Sequence, residues 1–113
     1  MNTTTYVWVK HQFESLHFWP NAPDQVDFLK HYHRHMFHVE LRVRVSHDDR
    51  DVEFITLKKE LVEFCRSLTG CVYHKSCEML AGEILEDFAQ RYTVARVAVS
   101  EDGENGAILK VNA

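Results

Sequence analysis

Glycine and proline are scarce in this chain, four and two among 113 residues. Few positions are free to take left-handed backbone or are barred from hydrogen-bonded ladders. That argues for regular elements joined by short loops and against disorder. Three cysteines, Cys65, Cys71 and Cys77, are an odd number and form no C-x-x-C. A complete internal disulfide framework is therefore excluded, and free thiols in a reducing compartment are expected. Basic runs are missing and the formal net charge is −4 with histidine neutral, so nothing recommends nucleic acid as a partner. No apolar run approaches the ~20 residues of a membrane span. The opening "MNTTTYVWVK" lacks the basic start, apolar middle and small-residue cleavage site of a signal peptide. The expected location is cytoplasmic, with no membrane partner.

What is present is the balance of an ordinary globule, 45% hydrophobic and 27% charged, on a length that suits one domain over residues 1–113. The uneven feature is histidine. Of eight in the chain, four fall in "HYHRHMFH" (31 to 38): His31, His33, His35 and His38.

Residues 6 to 17, "YVWVKHQFESLH", read as a strand with room for a bulge, and 18 to 30, which hold both prolines, as a connecting loop. Residues 33 to 46 alternate. His33, His35, Phe37, Val39, Leu41, Val43 and Val45 share one parity, and the polar majority shares the other. After a turn at "SHDDRD", "VEFI" reads as a short strand and Thr56 as a helix cap. Leu57, Leu61, Phe64, Cys65 and Leu68 then follow at helical spacing, with Gly70 as the stop. Ser76 caps a second helix with Glu78 in its first turn and a stripe of Leu80, Ile84, Leu85 and Phe88. Residues 92 to 101 and "AILKV" are strands about the turn "DGENG". The expected fold is α+β in ββααββ order, a four-stranded antiparallel sheet with two helices on one face.

Side chains at i and i+2 of a strand share a face, about 6.6 Å apart. His33 and His35 can therefore lean toward one metal, whereas His38 has the wrong parity. If the first two strands form a hairpin, His17 at the end of the first comes beside them, giving the three nitrogen ligands of a catalytic zinc. An H-x-H pair is more often a surface or satisfied core feature. Two histidines heading an apolar face are less ordinary, because unpaired polar groups there cost free energy.

The segments "FESLH", "HRHMFHVEL", "VEFITLKKEL", "SCEMLAGEI" and "VAVSEDGENGAI" together resemble, in order and spacing, the 6-pyruvoyltetrahydropterin synthase and 6-carboxytetrahydropterin synthase family. The resemblance implies the tunnelling fold, whose sheets close into a barrel between subunits. It therefore implies a homo-oligomer, with a hexamer as one candidate. It assigns His17, His33 and His35 to zinc and Glu101 to anchoring a pterin substrate, without a part in zinc binding. The implied activity is that of a lyase on dihydroneopterin triphosphate or a related pterin, in a queuosine- or folate-type pathway.

The departures fall on the acid–base half. The family's catalytic cysteine position is Leu29, and the middle of H-G-H is Arg34. The link between the helices offers only His74 in place of an Asp-His pair. His74, His31, Asp27 or a neighbouring subunit's cysteine are the substitute bases on offer, with His74 and His31 the catalytic candidates. Three readings follow: a zinc-dependent pterin enzyme; a pterin- or purine-binding oligomer that has lost the chemistry; and a structural oligomer with an incidental histidine cluster.

Overall fold

The computed structural model describes residues 1–69 and 72–112. The alternation along 33 to 46 becomes a strand, β2 (His33–Val45), paired antiparallel with β1 (Thr5–His17) in unbroken register from Thr5↔Val45 to His17↔His33. No bulge interrupts that pair. The irregularity lies on the other side of β2, where pairing with β4 (Thr93–Glu101) slips between Arg42 and Val43. β5 (Asn105–Lys110) extends the sheet from β4. A two-residue strand, β3 (Val72–Tyr73), lies parallel to the end of β1, giving the order β3-β1-β2-β4-β5. The four long strands are antiparallel as expected, and the short parallel fifth is an addition.

Two helices, α1 (Phe54–Arg66) and α2 (Cys77–Phe88), cover one face. Phe37, Val39, Leu41 and Val43 of β2 are buried beneath Leu57, Leu61 and Cys65 of α1 and Leu80, Ala81, Ile84 and Phe88 of α2. Burial of each large side chain stabilises the fold by roughly 1.5–3 kcal/mol. Because β2 alternates strictly, His33 and His35 lie on this same face and crown the core.

Three local expectations are corrected. "VEFI" is no strand: α1 starts at Phe54. Its cap is Glu53, not Thr56; the Glu53 carboxylate accepts the main-chain N–H groups of Ile55 and Thr56 and the Thr56 hydroxyl. Two acceptor oxygens satisfy more orphan donors than one hydroxyl can. The proline-containing connection is partly ordered, with 3-10 turns over Asp24–Lys30 broken at Val26 and tied back by the Trp19 N–H to the Leu29 carbonyl at 2.6 Å. Ser76 caps α2 as expected, accepting from the Met79 N–H. α1 ends at Arg66, with Ser67 as its C-cap; the readings of Gly70 as a stop and of Cys71 as a thiol lie outside the described residues.

Among the described residues, β1 gains an outer partner only at Leu16 and His17, and β5 has a partner on one side. No described helix is long and apolar enough to cross a membrane.

Candidate metal centre

Three strand ends converge at one end of the helix-covered face. Continuous pairing sets His17 opposite His33 and Ser15 opposite His35, and β4 ends with Glu101 opposite Phe37. His17, His33 and His35 each offer a ring nitrogen within 4.8 Å of the others. Nδ1 of His17 lies 3.3 Å from Nε2 of His33. The His17 and His35 rings meet Phe37 edge-on at 5.8 and 6.1 Å between centroids, so the core below fixes their tilt.

The outward-facing nitrogens are all engaged. Nε2 of His17 donates to the Lys75 carbonyl at 3.0 Å, and Nδ1 of His33 to the His31 carbonyl at 2.8 Å. Nδ1 of His35 donates to Asp102 Oδ2 at 2.7 Å. Carbonyls and an ionised carboxylate only accept, so each outer nitrogen carries the hydrogen and the inner nitrogen of a neutral ring is bare. The 3.3 Å contact between His17 and His33 then sets lone pair against lone pair. Nε2 of His35 is buried without a hydrogen-bond partner. A cation among these nitrogens turns each repulsion into a bond. Outer N–H groups held by carbonyl or carboxylate are the usual surroundings of metal-binding histidines, and three neutral imidazoles suit zinc. The donor set fits the metal.

Electrostatics agree. Burial pulls the His17 pKa below its ordinary 6.5, with the Lys75 carbonyl and Glu101 opposing and His33 and His35 assisting; the ring thus tends to keep its lone pair. Asp102 is held below the usual carboxylate range by the Met36 N–H and then by His35. Burial pushes the Cys77 thiol up to about 11, with Glu101 and Glu78 adding to it.

Glu101 stands beside the triad. Its Oε1 is 3.6 Å from Nδ1 of His17 and its Oε2 is 3.4 Å from Nε2 of His35. Of the other predicted residues, His31 is exposed at the end of the 3-10 segment and contributes its carbonyl. His74 is exposed, its ring 5.7 Å from Phe18. Leu29 is half-buried in the 3-10 segment. Asp27 is ion-paired with Lys30 at 2.8 Å, which holds its carboxyl below the ordinary range. His38 opposes Gln12 and Ser100 on the other face of the sheet, as parity requires. A groove of about 690 Å³ on that face, lined by Lys10, Gln12, His38, Glu40, Ser100 and Gly106, includes none of the triad.

Asp102 was not read as a site residue. Asp102 and Gly103 both have positive φ and the Glu104 N–H returns to the Glu101 carbonyl, a tight hairpin turn for which Asp-Gly is a preferred pair. The sequence signals the turn. That its aspartate reaches His35 follows only from β4 lying beside β2.

The fold, an α+β sheet with two helices on one face, is the one found in solved 6-pyruvoyl tetrahydropterin synthases, and in this chain three histidines gather at its strand ends. The Caenorhabditis elegans 6-pyruvoyl tetrahydropterin synthase superposes with a TM-score of 0.75 at 13% identity, over 97% of either chain. A Plasmodium vivax 6-pyruvoyltetrahydropterin synthase, in a form with alanine replacing a catalytic glutamate, gives 0.73 at 19% identity, over 99% of this chain and 100% of that one. An uncharacterized Wolinella succinogenes protein gives 0.82 at 12% identity, over 98% and 100%. No protein-family model matches the sequence, and neither does any curated protein. At these identities the likeness establishes the fold.

Proposed function

We propose that this chain is a cytoplasmic, zinc-dependent pterin-site protein acting on dihydroneopterin triphosphate or a related pterin. The observation that carries the reading is the convergence of three bare imidazole nitrogens whose outer N–H groups are all held by acceptors. His17, His33 and His35 would hold the zinc. When bound, zinc supplies Lewis acidity to substrate oxygens. Glu101 is the anchor for the ring, since a carboxylate accepts two parallel hydrogen bonds from a 2-amino and N3–H edge. The open edges of β1 and β5 among the described residues favour pairing between copies, which removes a liability. His74 and His31 are the groups proposed for proton transfer.

A second reading rests on Leu29, which can neither give nor take a proton: the chain binds its pterin without converting it. The same experiment addresses both. Purified protein is analysed for zinc, then mixed with dihydroneopterin triphosphate, and binding and product formation are followed by chromatography. Zinc-dependent binding supports the site, and turnover near 1 s⁻¹, an ordinary enzymatic rate, selects the enzyme. Protein that takes up no zinc and retains no pterin would sink both readings.

A further inference from the structure

We propose that Glu101 is a fourth, displaceable ligand of the metal held by the histidine triad. The inference rests on the zinc reading above and assigns Glu101 a role beyond ring anchoring. Its basis is geometric. Zinc bonds of about 2.0–2.1 Å meeting at tetrahedral angles set neighbouring ligand atoms about 3.3 Å apart. Nδ1 of His17 and Nε2 of His33 are 3.3 Å apart. Glu101 Oε2 is 3.4 Å from Nε2 of His35, and Oε1 is 3.6 Å from Nδ1 of His17. Each separation is close to that ligand–ligand spacing, with one carboxylate oxygen facing His35 and the other facing His17.

A hydrogen bond does not explain the approach. Both distances exceed the 2.7–3.2 Å of an N–H···O bond, and in neutral rings both nitrogens are bare, because His17 donates through Nε2 to Lys75 and His35 through Nδ1 to Asp102. A carboxylate aimed at two lone pairs is repelled unless a cation lies between them. Glu101 ends β4 directly before the Asp102–Gly103 turn, and the Asp102 side chain fastens that turn to β2 through the Met36 N–H and His35. The backbone that carries Glu101 is thus pinned against the strand that carries two of the histidines.

A site closed by four protein ligands has no open position for chemistry. Glu101 must therefore leave the metal when a substrate oxygen arrives. Once released, its two oxygens are free to accept the paired N–H groups of a pterin edge. One carboxylate thereby couples ring binding to opening of the metal.

The test uses metal alone. Wild type, Glu101→Gln and Glu101→Ala are stripped, refilled with zinc for affinity and with cobalt(II) for absorption spectra, and titrated with azide as a small competing ligand. The expected result is that both variants hold zinc at least about tenfold more weakly, the lower bound for losing even an outer partner of a ligand. Cobalt in the Glu101→Ala protein takes azide at concentrations that leave the wild-type spectrum unchanged. Equal zinc affinity in all three proteins, with equal azide uptake, overturns the inference and leaves the triad standing. Wild type that binds no metal overturns the triad reading as well. If the stripped Glu101→Ala protein is unfolded by circular dichroism, Glu101→Gln carries the comparison: zinc affinity and azide uptake equal to wild type refute a carboxylate in the fourth position.

Discussion

Nδ1 of His35 and the Asp102 carboxylate lie 2.7 Å apart, although 67 residues separate them in sequence. The other Asp102 oxygen accepts the Met36 N–H at 2.9 Å. One side chain therefore locks the tautomer of His35 and the seat of the β4–β5 turn. Asparagine tolerates the positive φ of this position but has one acceptor oxygen for two donors. Asp102→Asn is expected to lower zinc affinity by about 10- to 100-fold, the usual cost of losing an outer carboxylate, while the far-ultraviolet spectrum is unchanged. Competition with a chromophoric chelator measures it; undiminished affinity would mean that His35 is oriented by Phe37 packing alone.

Parity gives the second prediction. His33→Ala and His35→Ala each remove one of three converging nitrogens and should abolish stoichiometric zinc. His38→Ala, on the opposite face, should retain about one zinc per chain, as a three-histidine site implies. Elemental analysis after gel filtration decides it, and equal loss in all three variants would contradict the assignment.

Much of this site could be read before the structure because β2 alternates strictly and the period of a strand is two. One register choice fixes where both histidines point. The start of α2 and its buried stripe were legible for a similar local reason, the Ser76 cap and the apolar positions lying within one segment. What escaped depends on distant neighbours. β3 is two residues long and exists only by pairing with the end of β1. The Lys75 carbonyl and the Asp102 carboxylate become acceptors only when segments far apart in the chain meet. Glu53 was read as part of a strand because "VEFI" is rich in residues with β propensity, and capping by its side chain overrode that preference.

The α2 cap provides a stability test separate from the metal. Ser76 Oγ accepts the Met79 N–H at 3.1 Å, so Ser76→Ala should destabilise the metal-free protein by about 1 kcal/mol. Denaturant unfolding reads this directly. Because Lys75, the preceding residue, contributes the carbonyl that holds His17, the same variant should also weaken zinc binding; unchanged zinc affinity would show that the carbonyl is held by other contacts.

Two thiols should be inert. Burial pushes Cys65 up to about 12 and Cys77 up to about 11, so the reactive thiolate is a minute fraction at neutral pH. Peptide mapping after brief alkylation of native protein should find both residues unmodified, and fully modified after unfolding. Rapid native labelling of Cys77 would show that the N-terminus of α2 opens on that timescale.

The last prediction concerns acid and follows from His17. Its pKa in the folded chain is below the ordinary 6.5, chiefly through burial. As pH falls past 6.5 the unfolded chain takes up a proton that the folded chain refuses, so the unfolded state gains relative to the native one. Stability is therefore complete above 6.5 and is lost as pH falls toward the lowered folded value. Metal-free wild type should lose more stability between about pH 7.5 and about pH 5.5 than His17→Gln, which has no ionisable ring at this position. Zinc should shift the loss to lower pH, because binding to the bare nitrogen competes with the proton and stabilises only the folded chain. Urea unfolding with and without zinc at the two pH values supplies all the comparisons. If wild type and His17→Gln lose the same stability, the acid sensitivity lies elsewhere; if zinc leaves the wild-type profile where it was, His17 is not a ligand.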